Sequence, residues 1–263
     1  MKISEIAEAI ERFAPLALQE SYDNSGLVVG RPDDEVHKAL LAVDVTEEVM
    51  DEAESEGCDI IITHHPIIFH ALKRFNSGSC TERCVERAIR KGIALYACHT
   101  NLDSTPQGMS WRLASMLGVG QLQVLQPSPS GEGAGFGVVG ELPEAMPTLD
   151  FLRRVADVTG AEVVRFSDIA NPLVHRVAVC TGAGASLIAD AARAGADLYV
   201  TADLKYNDFT PFGRGGLTVA DIGHFESEYC AIRILFEVLS KNLITFAVRE
   251  SRHSRNPVNY LTK

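Results

Sequence analysis

The sequence predicts an α/β protein made of two similar lobes, each with a mostly parallel sheet flanked by helices. Short apolar runs alternate with amphipathic helical segments along most of the chain, which is typical of parallel sheets. Both halves also contain a helix followed by an acidic residue, an apolar triplet and a threonine, at 59–63 (DIIIT) and 197–201 (DLYVT). This echo predicts that the two halves share an architecture.

The first half begins with an amphipathic helix over residues 3–13, because Ile3, Ile6 and Ile10 recur at helical spacing. A turn at 23–26 precedes a short apolar run at 27–29. The run at 58–63 is apolar almost throughout, as expected for a strand covered on both faces. The remaining predictions for this half are strands at 38–44 and 92–98, and helices at 46–57, 81–91 and 107–117.

The Pro/Gly/Ser-rich stretch 126–135 is the best candidate for a boundary, which predicts lobes at 1–125 and 126–263. A strand over FGVVGEL and a helix at 148–159 follow it. The remaining predictions for this half are strands at 161–166, 174–180, 197–201, 218–223 and 243–248, and helices at 185–194 and 225–240.

Composition excludes several classes of function. The 263 residues carry 24 Lys and Arg against 35 Asp and Glu, a formal charge of −11, which disfavours a general nucleic-acid or anionic-membrane surface. One small anionic ligand in a locally basic pocket stays compatible with this charge. No signal peptide or apolar membrane-length stretch is evident, and the six cysteines form no CxxC pair. We therefore expect a cytoplasmic protein with reduced thiols.

Polar clusters follow three of the predicted strands, where ligands collect in parallel α/β sheets. A histidine alone at a strand end is more often structural, and a His-x3-Glu pair on a helix is more often solvated. The joint placement of these residues favours a metal site, and imidazole with carboxylate suits zinc, manganese or iron. The three clusters are His64-His65, His99 to Asp103, and His224 to Glu228.

These clusters also carry a resemblance that covers nearly the whole chain in the family's order. The chain resembles the GTP cyclohydrolase I type 2 homologues, also called YbgI-like or Nif-three-like dinuclear metal proteins. The matching segments are 21–30 (SYDNSGLVVG), 62–66 (ITHHP), 99–103 (HTNLD), 221–228 (DIGHFESE) and 256–258 (NPV).

The resemblance implies two divalent metal ions (Zn, Fe or Mn) in a cleft between the lobes. It gives one metal His64 and Asp103, the other His65 and His224, and makes Glu228 the bridging ligand. His99 then lies beside the metals, as a supporting group or occasional ligand. The resemblance also implies a homo-oligomer, a toroidal hexamer with the metals facing an internal cavity.

One departure from the family pattern bears on activity. Many relatives have Thr-Gly-Asp followed by a histidine, whereas this chain has Ala202 in place of the glycine and Asn207 in place of the histidine. A neutral amide cannot shuttle a proton as imidazole can. An activity that depends on that histidine is therefore not implied for this chain.

Three functions stay open. The first is a metal-dependent hydrolase or cyclohydrolase acting on a nucleotide-like or phosphorylated small molecule, with His99 as the catalytic proton shuttle. For a GTP-like substrate, the attack falls on C8 of the purine and opens the imidazole ring. The second is a non-catalytic metal-binding or regulatory interaction protein, which Asn207 favours. The third is a nucleotide-binding module without metal.

Four weaker features accompany these hypotheses. The loop 182–186 (GAGAS) is either an anion-binding nest or a tight strand-to-helix turn. Lys73 and Arg74 either hold a phosphate or are solvated. Asp203 and Lys205 follow another strand, and Trp111 is more easily explained as packing than as a stacking platform.

Overall fold

The structure, a computed structural model, describes residues 1–261 apart from the side chain of Phe212. Its helices are α1 (Ile3–Phe13), α2 (Glu47–Ser55), α3 (Cys80–Lys91), α4 (Thr100–Ser104), α5 (Met109–Met116), α6 (Thr148–Thr159), α7 (Ile188–Arg193), α8 (Pro211–Arg214), α9 (His224–Glu228) and α10 (Cys230–Asn242). Its strands are β1 (Gly26–Val29), β2 (Lys38–Ala42), β3 (Ile60–Thr63), β4 (Ala94–Ala97), β5 (Gly120–Pro127), β6 (Gly135–Pro147), β7 (Arg165–Phe166), β8 (Leu173–Ala183), β9 (Leu198–Ala202), β10 (Thr218–Asp221) and β11 (Ala247–Glu250). Within the described range, no helix combines the length and the apolarity needed to cross a membrane.

The chain forms two compact units that differ from the predicted segments 1–125 and 126–263. The first unit is Met1–Leu102 with Ala231–Arg255, and the second is Asp103–Cys230 with the segment from Asn256. The C-terminal strand belongs to the first unit because β11 pairs in parallel with β2. The pairing of β11 with β2 joins residues far apart in sequence and leaves no local compositional signal. The boundary prediction therefore could not assign the C-terminal segment to the first unit.

The first unit contains a five-stranded sheet in the order β1-β4-β3-β2-β11. β2, β3, β4 and β11 are parallel, and β1 is antiparallel to β4 at the edge. The predicted helix at 46–57 corresponds to α2, and the Thr46 side chain caps its start by accepting the Val49 N–H at 3.2 Å. Every residue of β3 is buried, as its apolar run predicts.

The second unit contains a six-stranded sheet in the order β5-β6-β8-β9-β10-β7. β8, β9 and β10 are parallel, whereas β5, β6 and β7 pair antiparallel. The sequence did not predict β5, whose polar residues are largely exposed or half-buried. The supposed boundary at 126–135 is instead the turn of the β5–β6 hairpin, in which the Ser128 N–H donates to the Ala134 carbonyl at 2.8 Å.

The predicted two-lobed α/β class is confirmed, but the second sheet is mixed rather than mostly parallel, because three of its five strand pairings are antiparallel. The second sheet is covered on both faces. Val177 and Val179 belong to one buried apolar cluster, whereas Ala178 and Cys180 belong to another. Successive residues of a strand point to opposite faces, so the two clusters lie on opposite sides of the sheet.

The predicted echo between the halves corresponds to a shared structural device. Asp59 precedes β3, and one of its carboxylate oxygens accepts the N–H of Lys38 at 3.2 Å and that of the preceding residue at 2.6 Å. Asp197 precedes β9, and it accepts the N–H of Arg176 at 2.8 Å and that of the preceding residue at 2.9 Å. In both units, the aspartate therefore pins the start of the neighbouring parallel strand.

Candidate metal centre

Three histidines follow the carboxyl ends of neighbouring strands in the first unit. His64 and His65 follow β3, and His99 follows β4. Because the two strands are parallel and paired, their carboxyl ends lie at the same edge of the sheet. One ring nitrogen from each histidine lies within 4.8 Å of the other two. The structure thus brings together the two predicted first-unit ligands and the predicted catalytic residue.

Each of these rings uses Nδ1 to bond to an acceptor. The acceptor for His64 is the Cys98 carbonyl at 2.9 Å, and for His65 it is Asp44 Oδ1 at 2.8 Å. A carbonyl oxygen only accepts, so Nδ1 of His64 carries the proton and Nε2 of the neutral ring carries the lone pair. Histidines that bind metals are oriented in this way, with the second nitrogen bonded to a carboxylate or carbonyl. Nε2 is therefore the nitrogen that a metal would take.

Asp23 holds His99 in the same manner. Its Oδ1 lies 2.7 Å from Nδ1 of His99, and its Oδ2 accepts the Thr100 N–H at 3.0 Å. Burial opposes ionisation of Asp23, but the hydrogen bonds from His99 and Thr100 outweigh it and lower its pKa well below the ordinary value. An ionised carboxylate therefore faces the predicted proton shuttle. Sequence reasoning gave Asp23 no role, although it lies within the segment 21–30.

The second unit places His224 at the first turn of α9 between two carboxylates. Its Nδ1 lies 2.9 Å from Asp203 Oδ2, and its Nε2 lies 2.9 Å from Glu228 Oε2. The hydrogen bond that His224 donates to Glu228 is the main cause of a His224 pKa raised to about 9; burial opposes this shift, and Asp203 adds to it. The spacing of four residues does bring His224 and Glu228 together, as the sequence predicted.

A buried aspartate, Asp221, positions the backbone beside both Asp203 and His224. Asp221, at the end of β10, accepts the Leu204 N–H at 2.8 Å and the Gly223 N–H at 3.0 Å. The first bond holds the chain beside Asp203, which adopts a φ of +56° that non-glycine residues rarely take. The second holds the turn before His224. Sequence reasoning missed this role, although an acidic residue at the buried end of a strand was a usable signal.

Glu228 lies close to both of the other candidate metal ligands of the second unit, Asp103 and His224. One carboxylate oxygen of Asp103 and one of Glu228 lie within 4.8 Å of each other, and Glu228 also contacts His224. Burial, reinforced by Asp103 and then by Glu228, raises the pKa of the Cys180 thiol to about 12. Cys180 therefore stays protonated next to these carboxylates, and the donors of this unit are oxygen and imidazole.

The glycine loop at the end of β8 lies against Glu228 at Gly182, and two of its backbone N–H groups are bonded to hydroxyls. The Gly182 N–H donates to the Ser227 hydroxyl at 2.9 Å, and the Gly184 N–H donates to the Thr201 hydroxyl at 3.1 Å. A Cβ on Gly182 would lie 2.3 Å from Glu228 Oε1. These two N–H groups are therefore not available to an anion, which favours the tight-turn interpretation of the loop, and Gly182 leaves room for the Glu228 carboxylate.

The donor chemistry fits divalent transition metals. The described units present imidazoles with bonded Nδ1 atoms, together with two neighbouring carboxylates, which suits zinc, iron or manganese.

The other residues singled out in the sequence are not among these metal-binding candidates. Lys73, Arg74, Lys205 and Asn207 are exposed, and the half-buried Trp111 packs against the core of the second unit, as expected of packing.

Fold and site together define a class: a two-sheet α/β protein with histidine and carboxylate clusters able to hold metal ions. The chain belongs to the Duf34/NIF3 (NGG1p interacting factor 3) family, whose model matches residues 1–257. The resemblance inferred from the motifs is thereby confirmed.

Individual relatives agree with this family. A "GTP cyclohydrolase 1 type 2 homolog" from Clostridium perfringens (strain 13 / Type A) is 33% identical over 264 residues, which span 99% of this chain and 100% of that protein. The structure of a Bacillus cereus protein related to NIF3 matches with a TM-score of 0.91 at 24% identity, over 99% of both chains. The structure of a Staphylococcus aureus protein matches with a TM-score of 0.89 at 26% identity, also over 99% of both chains.

Proposed function

We propose that this chain binds two divalent metal ions and acts as a hydrolase or cyclohydrolase on a nucleotide-like or phosphorylated small molecule. The proposed ligands are the five residues His64, His65, Asp103, His224 and Glu228. The observation that carries the proposal is the bonding of Nδ1 in each histidine to a carboxylate or carbonyl, which is the orientation that metal binding requires. The relatives named GTP cyclohydrolase 1 type 2 homologues support the class of reaction.

The chain's own residues supply orientation and proton transfer. Divalent metals, when bound, activate water and polarise carbonyl or phosphoryl oxygens. His99 is held at Nδ1 by ionised Asp23, so its Nε2 can take up or release a proton while the carboxylate balances the charge on the ring. Asp44 and Asp203 hold the rings of His65 and His224 in place.

The test is a metal-reconstituted activity screen on nucleotides and phosphoesters, with metal content measured in parallel. We expect about two metals per chain in the wild type, less metal in His65→Ala and Glu228→Ala, and loss of turnover in both. His99→Gln should keep its metal and lose turnover, which separates proton transfer from metal binding. His37→Ala is the matched control, because the side chain of His37 is 78% exposed and lies outside the cluster.

A non-catalytic metal-binding role is the second candidate, favoured by Asn207 at the position where many relatives have histidine. Metal at two per chain with no turnover, together with a partner whose binding requires metal, would support it. Protein prepared without chelator that contains no metal would overturn both candidates and leave a nucleotide-binding module.

We also propose a cellular compartment and an oligomeric state for this protein. All six cysteines are free thiols, which agrees with a reducing cytoplasmic compartment. Family membership supports a homo-oligomer, with a toroidal hexamer as the specific expectation. Light scattering of the purified protein measures the subunit number directly, and a monomeric mass would contradict this expectation.

A further inference from the structure

Two exposed aromatic rings border the histidine cluster of the first unit. Tyr22 is 63% exposed and Phe69 is 39% exposed. Their ring centroids lie 6.3 Å apart, and the Phe69 ring lies 5.9 Å from the ring of His99. Large aromatic side chains usually bury most of their surface, so an exposed pair beside His99 is a candidate ligand surface.

The backbone beside both rings is tied down by residues that build the cluster. Tyr22 directly precedes Asp23, which bonds to His99 and to the Thr100 backbone. Asn24 donates from its amide to the Ile68 carbonyl at 2.7 Å, which ties the loop of Phe69 to the loop of Tyr22. The two loops that carry the rings are therefore joined before a ligand arrives, which lowers the entropic cost of binding.

We propose that Tyr22 and Phe69 form a stacking subsite for the planar heteroaromatic ring of the substrate, next to His99. The step from binding to reaction rests on the proposed function, but the binding itself does not. Aromatic side chains stack on the π-face of any base and so recognise the ring without reading its edges. Lys73 and Arg74 lie exposed in the same loop as Phe69, so this loop offers positive charge to an anionic group attached to the ring. This combination indicates a purine nucleotide more than an uncharged ring.

The probes are guanosine monophosphate and ribose 5-phosphate, titrated by calorimetry into the full-length metal-reconstituted protein. Each alanine variant loses one stacking surface, so Tyr22→Ala and Phe69→Ala should each weaken nucleotide binding by about tenfold. Ribose 5-phosphate, which lacks the base, should bind all proteins with equal affinity. Tyr22→Phe should restore nucleotide affinity, because it keeps the ring.

Phe75→Ala is the matched control, because Phe75 is a 56% exposed phenylalanine of the same loop. It should bind the nucleotide like the wild type. The proposal is overturned if the wild type shows no base-dependent binding, if the two alanine variants bind the nucleotide normally, or if they lose ribose 5-phosphate to the same degree. Base-dependent binding without turnover would support the subsite and reject the hydrolase, whereas turnover with unchanged affinity in the variants would do the reverse.

Discussion

The two units share a scaffold and differ in the chemistry that they place at their strand ends. Each has three parallel strands at the centre of its sheet, with an aspartate that pins the start of the preceding strand. The first unit presents imidazoles, from His64, His65 and His99. The second presents mainly carboxylates, with Glu228 in contact with His224. The sheet therefore sets where donors lie, and the loops set which donors they are.

The two units also hold their donors by different means. In the first unit, each ring is bonded to its own acceptor, and these acceptors come from separate segments. In the second unit, the donors contact one another, and the chain adopts unusual backbone conformations at Gly182 and Asp203 to accommodate them. We therefore expect the second unit to be the more sensitive to small backbone changes. Four predictions test this comparison, starting with the largest effect.

Gly182→Ala should disturb the second unit most. The residue has a φ of +65°, and the new Cβ would meet Glu228 Oε1 at 2.3 Å. Left-handed strain of about 1 kcal/mol and overpacking of about 1–3 kcal/mol should lower the free energy of unfolding by about 2–4 kcal/mol. Denaturant titration and metal analysis measure the two effects. Gly195→Ala is the control, because Gly195 has a φ of +72° with nothing within 4 Å of an added Cβ. Equal losses in the two variants would contradict the role assigned to the loop.

Removing the carboxylates that orient histidines should weaken metal binding through either unit. Asp44→Ala releases Nδ1 of His65, and Asp203→Ala releases Nδ1 of His224. Such changes cost about 10–100-fold in metal affinity. Competition with a chromophoric chelator measures the loss, and Asp33→Ala, at an exposed surface ion pair, serves as the control. Normal affinity in one variant would show that its aspartate does not support metal binding, and the two units would then differ in how they hold their histidines.

The shared aspartates should have equal effects in the two units. Asp59→Ala and Asp197→Ala each leave two backbone N–H groups without their carboxylate acceptor. At about 1 kcal/mol per hydrogen bond, each change should cost about 2 kcal/mol of local stability. Amide hydrogen exchange should accelerate at 37–38 in the first variant and at 175–176 in the second. Asparagine at either position keeps an acceptor and should lose less. A large effect in one unit alone would argue against a common scaffold.

Glu52→Gln should have the smallest effect and should act on the discontinuous first unit. Glu52 accepts from the Ser251 hydroxyl and from the backbone N–H groups of Arg252 and His253. Burial opposes its ionisation, but these bonds lower its pKa below the ordinary value of 4.5. The stabilisation is therefore present above pH 4.5 and is lost as the pH falls through the lower native pKa.

At neutral pH, we expect Glu52→Gln to lose about 1 kcal/mol of stability. The difference from the wild type should vanish in strong acid, where Glu52 is protonated as well. Unfolding curves at several pH values measure this, with Glu8→Gln at an exposed ion pair as the control. A difference that persists in acid would show that charge on Glu52 is not what anchors residues 251–253.

Much of the fold could be predicted because it depends on local patterns. The helix at 3–13 follows from its apolar spacing, and the start of α2 follows from Thr46 as its cap. The strand β5 was missed because its alternating polar residues lie largely exposed at a sheet edge, where little apolar pattern is required. The predicted helix at 225–240 is divided into α9 and α10, and α9 begins at His224.

The sequence by itself determined which residues stand at the strand ends. An apolar run that ends in two histidines places them at the carboxyl edge of a buried strand wherever the chain folds, and the spacing of His224 and Glu228 puts them on one helix face. Tertiary structure decided what holds them. Asp23 and Asp44 reach histidines far along the chain, Gly182 makes room for Glu228, and β11 returns to β2. The physical reason is that periodicity and spacing act over a few residues, whereas hydrogen-bond acceptors and strand partners are chosen by contacts that form only when the whole chain packs.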